Sequence, residues 1–179
     1  MIETILISFI ICKIKGYKIK PLFKNWTIYP IIFMELIYLV VQINIFMENY
    51  SVINYVSVLK TFYLCSYIPL IFKYRQYVSA IIGSVFVMVG GKLNDIAISA
   101  NNGYMPVFPS LSYLTGYAKN DAFSKVNDIH ILGDANTKLK FLTDIFDIGY
   151  SVLSIGDIFI RFFIVIIIFN SVKQLNISK

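Results

Sequence analysis

"GGKLNDIAISANNGYMPV", residues 90–107, is the stretch whose reading decides the fold. It closes a long apolar run, as the end of a membrane span does, yet it carries Lys92, Asn94 and Asp95. Asn102–Gly103 reads as a helix stop, because both residues tolerate a left-handed backbone. Pro106 and Pro109 then hold the exit extended. The run before the stop reads as a span over about 78–100. The composition of the whole chain agrees with a bilayer as its solvent: of 179 residues, 58% are hydrophobic and 15% charged. Soluble domains carry roughly a quarter charged residues, and a short soluble chain buries only part of its apolar surface. The 13 Tyr and 15 Phe suit a membrane boundary, where a Tyr ring is buried and its hydroxyl stays wet.

Working outward, spans are expected over about residues 2–12, 27–47, 56–72, 78–100 and 151–170, against the ~20 apolar residues that cross a bilayer. The first, "IETILISFIIC", is short. Its acid comes first and its lysines follow, the reverse of a cleaved signal peptide. It reads as an uncleaved first span with its N-terminus outside; an interfacial helix is the alternative. Residues 13–26, "KIKGYKIKPLFKNW", hold five lysines and no acid, which marks a cytoplasmic loop. Pro30 fits the first turn of the next span. "KYRQY", residues 73–77, is a second basic turn on the same side. The long loop over residues 101–150 has four Lys against five Asp and belongs outside. Loops of that length carry function or are disordered. Within it, "NTKLKFLTDIFDI" places Leu139, Leu142, Ile145 and Phe146 at helical spacing, which predicts an amphipathic helix. The expectation is one membrane domain over residues 1–179: an all-α integral membrane bundle of about five spans, N-terminus out and C-terminus in, under a partly ordered external cap.

Charges at membrane depth are expensive and usually face the bundle interior beside a partner. At ~1.5 Å per residue, Lys92 lies about 13 Å and Asp95 about 9 Å below the outer end of their span. By the same rise, Asp157 lies about 9 Å and Arg161 about 15 Å deep. Lys92/Asp95 (i, i+3) and Asp157/Arg161 (i, i+4) each share a helix face. The expectation is a neutral polar cluster of these four, with Glu35 seeking Lys92 or Arg161, or else protonated because burial disfavours its charge. Ser79/Gly83 and Gly90–Gly91 supply small residues for close helix approach. In the structural reading the cluster is glue. In the functional one it lines a cavity, and the double glycine interrupts its span to free backbone groups.

His130 is the only histidine. It lies in "NDIHIL", which could be a short extended segment. Acid/base work would need Asp128, Asp144 or Asp157 beside it. The chain contains no G-x-S-x-G, H-E-x-x-H or phosphate-cradling glycine loop. Cys12 and Cys65 lie in separate apolar runs without metal-ligand spacing, so no metal or cofactor is implied. The net charge of +6 gathers in the basic loop and reads as topology rather than nucleic-acid binding. The candidate ligand set is Asn94, Asn101, His130, Asp144 and Asp157.

In its second half the chain resembles a bacterial family of small multi-span membrane proteins classed as a domain of unknown function. The resemblance rests on Asn94, "ANNGYMPV" at 100–107, His130, "TKLKFLTD" at 137–144 and "SIGD" at 154–157. Against that pattern, Asn102 stands where the family has Gly and Lys140 where it has Pro. Lys92, Asp95 and Arg161 stand where it has uncharged residues. The resemblance implies no activity; it implies that the outer loop and Asp157 form one unit. Three functions compete. One is a non-enzymatic accessory, binding or transport-related component with a polar site under the external loop. Another is a membrane-embedded enzyme using His130, Asp144 and Asp157 on an outer-leaflet or extracytoplasmic substrate. The third is a helix-packing scaffold with a membrane-protein partner. The expected location is a bacterial plasma membrane.

Overall fold

Four helices in the computed structural model are long and apolar enough to cross a membrane: Trp26–Phe46, Val56–Lys73, Tyr77–Ala100 and Ile155–Ile177. The structure describes residues 1–119, 123 and 128–177; residues 120–122 and 124–127 of the expected external loop lie outside the described residues. Large apolar side chains are exposed along these helices, among them Phe33, Leu36, Phe62, Phe72, Ile81, Val85 and Met88. A water-soluble protein does not present apolar area on that scale. The protein is an all-α bundle built to meet hydrocarbon.

In chain order the helices are α1 (Ile2–Ile14), α2 (Lys20–Phe23), α3 (Tyr29–Phe46), α4 (Val56–Cys65), α5 (Ile68–Lys73), α6 (Tyr77–Ala100), α7 (Leu111–Leu114) and α8 (Ile155–Ile177). With 13 residues, α1 rises about 20 Å, short of the ~30 Å hydrocarbon core. It is not one of the four helices that qualify as spans. The short turn before α5 sets Pro69 in its first turn, where a missing N–H costs little. α6 runs unbroken through Gly90–Gly91, so the interruption that belongs to the functional reading does not occur.

The chain forms two compact units. The first comprises Met1–Leu39, Ser57–Val87 and Arg161–Lys179. Its core gathers Ile5 and Cys12 of α1, Ile31, Met34 and Tyr38 of α3, Tyr63, and Phe163, Ile164, Ile167, Ile168 and Val172 of α8. The α8 positions recur three and four apart, so one stripe of the helix is buried. Gly83 belongs to the close approach the sequence suggests: a Cβ there would stand 2.7 Å from Phe163 Cδ2. Asn170 Nδ2 donates to Ser79 Oγ at 3.1 Å.

The second unit comprises Val40–Val56 and Met88–Ile160. Its cap is β-structured where the sequence suggests helix. β1 (Met105–Val107) pairs in parallel with β2 (His130–Leu132), and Val107 also bridges Asp144. β3 (Phe146–Asp147) and β4 (Val152–Leu153) form an antiparallel hairpin. The amphipathic helix expected over residues 136–148 is therefore corrected. Leu139 adopts a left-handed conformation (φ 48°) and only a single 3-10 turn, Lys140–Leu142, follows. The backbone of Asp144 then bonds Pro106 and Phe108, at 3.1 and 2.8 Å, which removes it from any helical ladder. Leu142 alone of the expected apolar face is buried, against Met105 and Ala97.

Candidate functional site

β1 brings the candidate residues together because it is flanked by two chain segments. On one side its register aligns Met105 with His130. On the other, Phe108 N–H donates to Asp144 O and Asp144 N–H to Pro106 O. The imidazole of His130 is thereby set between two carboxylates. Nδ1 lies 2.5 Å from Asp128 Oδ2, and Nε2 lies 3.6 Å from Asp144 Oδ2. The Asp144 side chain is only 6% exposed. All three residues line one cleft of about 200 Å³. Its remaining wall is largely apolar, with Ile45, Ile53, Val107 and Val152, together with the rings of Tyr50 and Tyr117. Burial pushes the Tyr117 phenol up to about 12, so it stays neutral. Tyr117 rests on Phe46 with ring centroids 5.3 Å apart, and Lys119 pairs with Glu48 nearby.

The cleft wall has a support that sequence reasoning missed. The Asp147 carboxylate accepts from Ser110 N–H at 2.6 Å, Ser112 N–H at 2.8 Å, Ser112 Oγ at 2.6 Å and Gly149 N–H at 2.8 Å. Partial burial works against its charge, but these four donors outweigh it and hold its pKa below the ordinary aspartate value. It caps α7 and fixes Ser112, a cleft residue. The signal available in the sequence was Asp147-x-Gly149, an Asp bonding the backbone two residues on, with Gly149 at φ 88°.

Three candidate ligand residues have architectural work instead. Ser154 and Asp157 form a capping box on α8: Asp157 N–H donates to Ser154 Oγ at 2.9 Å, and Ser154 N–H reaches Asp157 Oδ2 at 3.4 Å. Asn94 joins it, its Oδ1 accepting from Ser154 Oγ at 2.8 Å and its Nδ2 donating to Asp157 Oδ1 at 3.4 Å. Gly156 permits this, because a Cβ there would collide with Asn94 Oδ1 and stand 2.5 Å from Gly90 O. A Cβ on Gly90 would likewise meet Gly156 O, whereas Gly91 has open space around it. Asn101 clamps the loop, accepting from Lys138 N–H at 2.9 Å and donating to Lys138 O at 2.9 Å.

The expected four-charge cluster is corrected. Lys92 and Asp95 pair with each other at 3.7 Å on an outward face, 81% and 66% exposed. Arg161 pairs with Glu3 and donates to Thr4 Oγ1 at 3.2 Å. Asp157 serves the capping box. Glu35 accepts from Tyr63 OH at 2.5 Å, and the Tyr63 and Tyr67 hydroxyls lie 3.0 Å apart. Helix phase is the reason: Lys92 and Asp95 share a face, as expected, but that face is not the one holding Asn94 and Ala97. Among the described residues, no group of three or more His, Cys, Asp or Glu side chains is arranged to hold a metal ion.

Two of the five departures from the pattern of the resemblance have a backbone explanation. Asn102, where the resemblance implies Gly, is left-handed at φ 58°, a conformation open to Gly and tolerated by Asn. Lys140, where it implies Pro, is the first residue of a 3-10 turn, a position that does not need its N–H. No curated protein and no solved structure matches the chain. One family model matches residues 19–169, a stretch that contains Asn94, the β1–β2 pair, His130, Asp144 and the α8 capping box, and the protein belongs to that family, the family of unknown function DUF5317.

Proposed function

We propose that this is a non-enzymatic, multi-pass membrane protein, an accessory, binding or transport-related component, whose cap binds a small extracytoplasmic ligand. The observation that carries the reading is the Asp128–His130–Asp144 group on the wall of a cleft that is otherwise largely apolar. Two carboxylates around one imidazole favour a ligand with a cationic or hydrogen-bond-donating group, and the apolar wall favours a hydrocarbon body beside it. A cleft of about 200 Å³ is below the ~300–1,000 Å³ usual for drug-sized ligands. The occupant is a small amine-like molecule or the end of a larger one. The N-out, C-in topology, with residues 101–150 outside a bacterial plasma membrane, belongs to the same proposal and rests on the lysines of residues 13–26.

The test is a thermal-shift screen of the purified protein against small primary and quaternary amines, repeated with Asp144→Asn. Ligands that raise the Tm of the wild type and lose at least about tenfold in affinity with the variant, as expected for a lost charge-assisted bond, support the reading. Equal shifts in both proteins, or none, break it.

A second reading is a membrane-embedded enzyme acting on an outer-leaflet or extracytoplasmic substrate. One observation favours it: Asp128 holds His130 Nδ1 at 2.5 Å. A carboxylate on one nitrogen fixes the ring and its tautomer, so that the other nitrogen can move a proton. Turnover that survives Asp144→Asn but not His130→Gln would favour this reading over pure binding.

A further inference from the structure

We infer that the lysine-lined hollow between α1 and α2 is a binding site for the phosphate headgroup of an anionic membrane lipid. The hollow has a volume of about 460 Å³ and is lined by Lys13, Lys18, Lys20 and Lys24 with Tyr17 and Pro21. None of these four lysines pairs with a carboxylate among the described residues, and residues 13–26 contain no acid. Four like charges around one concavity repel one another unless an anion sits among them. Like charges spread over a convex loop would have served topology equally well, so the concavity is what topology leaves unexplained.

The hollow is built in place rather than left to a loose loop. Lys18 N–H donates to Asn176 Oδ1 at 2.9 Å, and Asn176 Nδ2 donates to Lys18 O at 3.1 Å. At the far edge Asn25 Nδ2 donates to Tyr74 OH at 2.7 Å. Buried Cys12 and Leu22 anchor the two flanking helices in the core of their unit.

Lipid rather than free phosphate is indicated by what surrounds the lysines. Ile14 is 78% exposed, Trp26 61% and Phe23 47%. Along α1, Leu6, Ile7 and Ile10 are also exposed. An acyl chain leaving a headgroup in the hollow meets this apolar row, and an exposed Trp suits the headgroup boundary. Clusters of lysine beside a span attract anionic lipid, with each lysine worth about fivefold in affinity.

The experiment uses the full chain in uncharged detergent and measures binding of fluorescent short-chain phosphatidylglycerol, phosphatidylcholine of the same chain length, and competition by glycerol phosphate. Expected is a preference of about tenfold or more for phosphatidylglycerol that glycerol phosphate does not match. The quadruple variant Lys13→Gln, Lys18→Gln, Lys20→Gln, Lys24→Gln abolishes this preference, and the four matching Lys→Arg changes keep it. Equal binding of the two lipids by the wild type overturns the inference, whatever the variants do. An unchanged preference in the Gln variant moves the site elsewhere. Competition by glycerol phosphate at the lipid's own affinity replaces lipid with free phosphate.

Discussion

The first unit treats the charges among its helices differently from those the second unit carries. In the first, Arg161 lies against Glu3 and Thr4, and its side chain is only 13% exposed. Glu35 lies against Tyr63. Each polar head meets another polar head, and little of either reaches a surface. In the second, Asp128, His130 and Asp144 line a cleft, and Lys92 and Asp95 stand outward. Closed pairs of the first kind hold helices in register, and truncating one partner of such a pair is severe. Groups of the second kind keep a face available to something else. The difference is a reason to look for the ligand of the cleft in the cap and for stability in the buried pairs of the first unit.

The sharpest way to break this comparison is to cut the closed pair. Arg161→Leu is expected to cost about 3–5 kcal/mol, read as thermal unfolding in detergent, while Glu3→Gln with Arg161→Met recovers most of it. A loss below about 1 kcal/mol would place the pair with the surface kind. Asp147 comes next. Asp147→Ala removes four hydrogen bonds, and with its partial exposure discounted the expected cost is about 1–2 kcal/mol. Because its folded pKa is depressed, its contribution is complete above the unfolded value of about 4. It is lost as pH falls through the lower folded value. Protease sensitivity of the cap should therefore rise on acidification in the wild type and rise less steeply over that range in the variant. The smallest effect is expected from Lys92→Gln with Asp95→Asn, within about 0.5 kcal/mol. A large effect would show that this outward pair meets a partner in the membrane.

The bundle was legible because hydrocarbon imposes long apolar runs: Trp26–Phe46 and Tyr77–Ala100 stand out in the sequence by length alone. The helix stop at Asn102 was legible from local backbone chemistry. The cap was not. Leu139, Leu142, Ile145 and Phe146 have a helical period, but Asp144 gives its backbone to Pro106 and Phe108, and no local pattern announces a partner that far away. Of the candidate site, His130 with Asp128 and Asp144 could be named, since one histidine has few acids to choose from. Asn94, Asn101 and Asp157 were polar residues in the right region: Asn94 and Asp157 bond each other and Ser154 at the α8 cap, and Asn101 bonds the Lys138 backbone. Rotation about a helix was not readable: the face that Lys92 and Asp95 share pairs them with each other, and the face Arg161 occupies pairs it with Glu3.

The clamp between Asn101 and Lys138 joins residues 37 apart, and the Asp147 bonds to Ser110 and Ser112 reach back almost as far. Those separations fix an order of events during synthesis. β1 leaves the end of α6 with its backbone groups unpaired; one edge stays so until β2 has been made and the other until Asp144 has. The cleft waits for the whole loop, and the core of the first unit waits longer still, for α8. A chain ended within that interval would have α1 to α6 but neither the cleft nor the α8 stripe on which the core of the first unit is built.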